Sequence, residues 1–112
     1  MIIYQVLCTM PPSVEDEWRQ WMMREHIRDV MNTELFERVH IARVLKPEHP
    51  SGVQYCIQYY APTLAHYEQY RMDFAPVLQA AHKAKYGGII EIERTVMETL
   101  DLDDVELPPL LS

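Results

Sequence analysis

Residues 53 to 60, VQYCIQYY, alternate Val53, Tyr55, Ile57 and Tyr59 with Gln54, Cys56, Gln58 and Tyr60. A period of two places one set on each side of an extended strand, so this segment is a sheet strand with an apolar face to bury. Three further segments have β-type composition: residues 1–9 (MIIYQVLCT), 36–45, and 89–100, in which Ile90, Ile92, Arg94 and Val96 alternate with Glu91, Glu93, Thr95 and Met97. Met10-Pro11-Pro12 closes the first, because proline donates nothing to a sheet ladder. Residues 46–52, KPEHPSG, hold two prolines and a glycine, and form a long turn between the second and third strands.

Two helical stretches separate these strands. Ser13 precedes Glu15, Asp16 and Glu17, an N-cap signal followed by carboxylates at the end of a helix where negative charge is favoured. Val14, Trp18, Met22, His26 and Val30 then recur every fourth residue, with Trp21, Met23, Ile27 and Met31 beside them, which predicts one helix over residues 14–31 with a broad core-facing stripe. It fades at Asn32-Thr33-Glu34. Thr63 is the predicted cap of the second stretch, where Leu64, Tyr67, Tyr70, Phe74, Val77 or Leu78, and Ala81 keep helical spacing. Pro76 interrupts that run, so a kink or two helical pieces are expected, the second ending near Tyr86 at Gly87-Gly88.

The resulting order, β-α-β-β-α-β, predicts an α+β, ferredoxin-like fold: a four-stranded antiparallel sheet with two helices on one face. At 112 residues the chain has room for one such domain, read as residues 1–100, followed by an acidic tail with two prolines over residues 101–112. That tail has no means of burying Leu107, Leu110 and Leu111 by itself, so they dock on a partner subunit or stay mobile while the domain folds without them. The first strand is apolar on both sides, with Ile3 and Leu7 on one and Tyr4 and Val6 on the other. A solvated face would read polar throughout, so a second surface is expected to cover it. A second copy of the same sheet is the simplest cover, which predicts a homodimer.

Several strings together, MIIYQV, EDEWRQWMMREHI, VQYCIQYY and HYEQYRMDFAPVLQAAHKAKYGG, resemble an uncharacterised family of bacterial proteins of about a hundred residues in the dimeric α+β barrel group. The resemblance spans residues 1 to about 100 and implies that fold and dimerisation, with no reaction attached. The chain departs from the family pattern at Phe74-Ala75-Pro76, where the resemblance leads one to expect His-Ala-Pro. No role of that histidine carries over.

Composition excludes several functions. Ten basic against seventeen acidic residues give a net charge of -7, which repels phosphate backbones and speaks against nucleic acid. No apolar run is long enough to span a membrane and the first residues lack the marks of a signal peptide, so a cytoplasmic setting is expected. Cys8 and Cys56 lie in apolar segments without metal-ligand spacing and read as reduced thiols. No nucleotide-binding, nucleophile-elbow or zinc-protease string occurs, and no cofactor or metal is implied. An RNA-recognition domain shares the element order, yet VQYCIQYY lacks the basic part that its third strand requires.

His26 is the candidate catalytic residue, since a histidine on the buried stripe between Met22 and Val30 can act as acid or base near neutral pH. A core histidine satisfied by a carbonyl gives the same pattern. Candidate ligand contacts are Gln5, Gln58, Tyr60 and Glu91 on the second face of the sheet, with His40 and Arg43 on the second strand as an anion site. Arg71 with His66, and His82 with Lys83 and Lys85, read as a solvated basic helix face, with a bound carboxylate as the alternative. The expected function is therefore a homodimer that binds a small molecule in or near the barrel. The alternative is a cofactor-independent monooxygenase or isomerase that uses His26.

Overall fold

The computed structural model describes residues 1–102 together with Pro109. Its elements are β1 (Ile2–Met10), a 3-10 turn (Pro12–Val14), α1 (Glu15–Trp21), a π-helical stretch (Met22–His26), α2 (Ile27–Met31), β2 (Arg38–Arg43), β3 (Val53–Ala61), α3 (Leu64–Asp73), α4 (Ala75–Tyr86) and β4 (Glu91–Glu98). The sheet order is β2-β3-β1-β4, antiparallel throughout, with helices on one face. This is the expected α+β, ferredoxin-like arrangement. The two longest strands, β1 and β3, lie side by side at its centre. The expectation for the acidic tail falls almost wholly outside the described residues. Among those described, no helix is long and apolar enough to cross a membrane.

Register decides what each face carries. Tyr4 pairs with Tyr59 and Val96, Val6 with Ile57 and Arg94, and Cys8 with Tyr55 and Ile92. Directly paired residues share a face, so all of these lie on the helix side, together with Val39, Ile41 and Arg43 of β2. Ile57, Tyr59, Cys8 and Met10 are almost fully buried there against Trp18 and Val30. Tyr4 sits at the middle of an aromatic cluster, with the rings of Phe36, Tyr59, Tyr67 and Tyr70 centred 5.4 to 6.2 Å away.

The helices follow the sequence signals with two corrections. Ser13 does not cap the first helix. Pro11 is extended and Pro12 begins a 3-10 turn that contains Ser13, so Val14 takes the cap position and no side chain caps α1. Proline tolerates a first helical position because its missing N–H would be unpaired anyway. The single helix expected over residues 14–31 is also broken by the π stretch, where the Ile27 N–H donates to the Met22 carbonyl. On the second half of the chain, the Thr63 hydroxyl accepts from the His66 N–H as expected. The break anticipated at Pro76 falls at Phe74, between α3 and α4. β2 is shorter than the expected 36–45, since Phe36 turns into the core and Leu45 lies in solvent.

Ile57, 1% exposed in the middle of β3, tests the facing of the sheet. Ile57→Asp places an unpaired charge among Trp18, Val30 and the tyrosines, at a cost of several kcal/mol, roughly the whole margin of a small domain. Circular dichroism should show loss of cooperative unfolding; a soluble variant with an unchanged melting curve would contradict the assignment.

Candidate functional site

A small chamber of about 30 Å³ lies between the sheet and the helices. The strands contribute Tyr4, Val6, Cys8, Ile57, Tyr59, Ile92 and Arg94, and the helices Met22, His26, Val30, Tyr70, Gln79 and His82. Beside it, along α4 and the edge strand β4, runs an open groove of about 450 Å³ lined by Pro76, Ala80, Lys83, Tyr86 and Ile90 among others. Gln79, His82, Ile92 and Arg94 line both. They form the wall through which chamber and groove meet.

His26 is the last residue of the π stretch, and such bulges recur where a helix must aim a functional side chain. Its ring stacks on Trp21 with centroids 4.9 Å apart and meets the edge of His82 at 5.8 Å. Burial holds its pKa below the ordinary histidine value, partly opposed by Asp29 and reinforced by Arg94. It is therefore a neutral imidazole at pH 7, able to accept a proton.

His82 is not the solvated helix residue expected from its neighbours Lys83 and Lys85, for only 5% of it is exposed. The periodicity of α4 turns it inward. The Trp18 indole Nε1–H donates to His82 Nε2 at 3.0 Å. Indole is a donor only, so Nε2 must be unprotonated and the proton of the neutral ring is assigned to Nδ1. Burial, together with the nearby His26 and Arg94, pushes its pKa down to about 4. Among the described residues no buried side-chain nitrogen lacks a partner.

Arg94 occupies the apolar side of β4, between Ile92 and Val96. Its Nε donates to the Tyr4 hydroxyl at 3.2 Å. Cys8 is no nucleophile here, because burial raises its thiol pKa to about 12. Both cysteines are free, as expected. Among the described residues no three His, Cys, Asp or Glu side chains converge as metal ligands.

The other candidate residues lie elsewhere. Gln5, Gln58, Tyr60 and His40 do come together, on the open face of the sheet away from His26. Gln58 Nε2 donates to Gln5 Oε1 at 2.8 Å, the Tyr60 hydroxyl donates to Gln58 Oε1 at 3.2 Å, and the His40 and Tyr60 rings are 5.4 Å apart. Glu91 has the same facing but sits opposite Thr9, toward the other end of β1. Arg43 does not join His40: it is on the helix side, where Nε donates to Glu15 Oε2 at 2.8 Å and the same oxygen accepts from Tyr55 at 2.6 Å. Residues three apart on a strand point to opposite faces, so the pair cannot form one anion site. His82 and Arg94 were legible only in part. The signals were a histidine at helical spacing between Leu78 and Tyr86, and a cation in the apolar set of the last strand.

Residues 1–100 match the DUF4286 family, a domain of unknown function. The chain belongs to this family. No curated protein matches it. Among solved structures, it is similar to an ethyl tert-butyl ether D (EthD) family protein from Bacillus halodurans, with a TM-score of 0.67 at 12% identity over 89% of this chain and 100% of that one. A protein from Deinococcus radiodurans assigned as a candidate antibiotic biosynthesis monooxygenase gives 0.62 at 14% identity, covering 100% of both chains. A MhuD variant with two manganese protoporphyrin IX molecules bound per active site gives 0.64 at 14% identity over 90% of this chain and 97% of that one. These likenesses show the fold alone, the ferredoxin-like arrangement described above.

The buried neutral histidine makes stability depend on pH with a definite sign. In the unfolded chain His82 titrates near 6.5, and in the folded one near 4. Between those values the unfolded state binds a proton that the folded state refuses, so stability is full above pH 6.5 and falls as pH drops toward 4. At about 1.4 kcal/mol per pH unit, the loss is on the order of 3 kcal/mol. His26 acts in the same direction. Thermal melts at pH 7 and pH 5 should show a lower midpoint in acid, and His82→Gln should flatten that dependence; an equal acid loss in the variant would exclude His82 as its source.

Proposed function

We propose that this DUF4286 protein is a homodimeric α+β barrel that binds a small molecule at the chamber and groove between its sheet and helices. The observation that carries the reading is the shared wall of Gln79, His82, Ile92 and Arg94, where polar groups converge in a mostly apolar recess. Binding sites have this makeup, a few placed polar groups within an apolar lining. The neighbouring structures whose descriptions mention a monooxygenase or a bound porphyrin support a small-molecule role by fold analogy only. Titrating the protein with aromatic ketones and quinols while following the imidazole signals of His26 and His82 should move both. Signals that stay fixed for every compound would overturn the reading.

A second reading, a cofactor-independent monooxygenase or isomerase, is favoured by His26 itself. Its neutral ring is held by Trp21 and lines the water-sized chamber beside the groove, so it can take a proton through one water from an acidic O–H or C–H of a quinol or ketone in the groove. If so, His26→Gln should lower turnover on the order of a hundredfold while binding persists.

Dimerisation is proposed through the open face, where Ile3, Leu7 and the Gln5-Gln58-Tyr60 row meet no helix. The same patch on two copies satisfies a two-fold axis. Light scattering should give twice the 13.3 kDa of one chain. A single-chain mass at micromolar concentration would refute it.

A further inference from the structure

The charge lining the recess runs against the charge of the chain. The protein has seventeen acidic and ten basic residues. Yet neither chamber nor groove is lined by any Asp or Glu, and the charged groups on their walls are Arg94 and Lys83.

Arg94 is prepared for an anion in a further respect. The Tyr4 hydroxyl takes its Nε and so holds the guanidinium plane, while no carboxylate of the described residues pairs with its two terminal nitrogens. Those nitrogens present the fork that a carboxylate accepts in bidentate fashion. Arg19, Arg43 and Arg71 have carboxylate partners in Asp16, Glu15 and Glu68; among the described residues Arg24, Arg28 and Arg38 share the unpaired state of Arg94, which is the arginine that lines the groove. Arg94 is exposed on the helix side of β4, so its terminal nitrogens are open to a ligand in the groove.

Size and lining narrow the class. The chamber admits only a water-sized occupant, whereas the groove, at about 450 Å³, lies within the roughly 300–1,000 Å³ usual for small-molecule sites. Its walls between Arg94 and the turn at Gly87-Gly88 are Ile90, Ile92, Ala80, Pro76 and the ring of Tyr86. Apolar walls with Arg94 held at one end by Tyr4 suit a planar apolar ligand that carries a carboxylate. We propose that the groove binds an aromatic monocarboxylate, its carboxylate on the terminal nitrogens of Arg94 and its ring against Ile90, Ile92 and Tyr86. This rests on the reading of the recess as a small-molecule site.

The test compares 1-naphthoate with 1-naphthamide, which has nearly the same shape and no charge, on the full chain by calorimetry and by the imidazole signals of His82. Naphthoate should bind at least about tenfold more tightly, because the amide cannot offer the fork two anionic oxygens. Arg94→Gln should erase that preference, and Arg94→Lys should keep part of it. Equal binding of acid and amide, both moving His82, would overturn the carboxylate assignment and leave the small-molecule site standing. If neither compound moves His82, both readings fall. A preference that survives in Arg94→Gln would remove Arg94 as the receptor. The comparison of the two probes on the native chain decides the question even if the variants do not fold.

Discussion

The hydrogen bond from Trp18 to His82 joins the first helix of the domain to the last across the core. Its two ends are 64 residues apart in the chain, and both are buried. A large ring packed against Tyr55 on one side thus depends on an acceptor supplied by α4 on the other. Removing the acceptor would strand a buried indole N–H at a cost of about 1–3 kcal/mol. The same bond assigns the His82 tautomer and fixes the ring in the wall where chamber and groove meet, while burial keeps that ring neutral. Packing and site chemistry are therefore one arrangement here. His82 cannot be protonated without losing the contact that ties the helices together.

Arg94 is held by the opposite logic. On its side of β4 it lies between Ile92 and Val96, its cross-strand partner is Val6, and its Nε is fixed by the Tyr4 hydroxyl in the centre of the aromatic cluster. A helix-side cation also lowers the proton affinity of both histidines. Two neutral imidazoles beside a fixed guanidinium make a recess that repels cations, with His26 as its proton acceptor because the lone pair of His82 is taken by Trp18.

The elements were largely legible because their signals are local. Alternation in VQYCIQYY, the Thr63 cap, the interruption near Pro76 and the stop at Gly87-Gly88 each involve residues within a few positions of one another. The failures share a different cause. Ser13 carries the right side chain for a cap, but the two prolines before it set the backbone first. Arg43 looked like a neighbour of His40 until strand parity sent it to Glu15. His82 beside two lysines read as solvated, since its burial comes from Trp18, far away in sequence. His26 was found because one helix stripe contains it, whereas its partner histidine and the chamber exist only after the sheet and four helical pieces have been assembled.

The two faces of this one sheet carry different polar designs. On the helix side, polar groups are few and converge at a recess, with His82 and Arg94 each anchored through one nitrogen and retaining further donors. On the open side, Gln54 donates to Thr9, Gln58 donates to Gln5, and Tyr60 donates to Gln58, so the amides satisfy one another along the central strands. Arg38 closes that row by lying over the Tyr60 ring at 4.2 Å. Polar groups already paired within a chain lose little when a second surface excludes water, whereas groups with spare donors favour a ligand that can use them. The open face is accordingly suited to being covered and the recess to being filled. That division follows from register alone, because β1 sends Tyr4, Val6 and Cys8 to one side and Ile3, Gln5 and Leu7 to the other, and a slip of one residue would exchange the two.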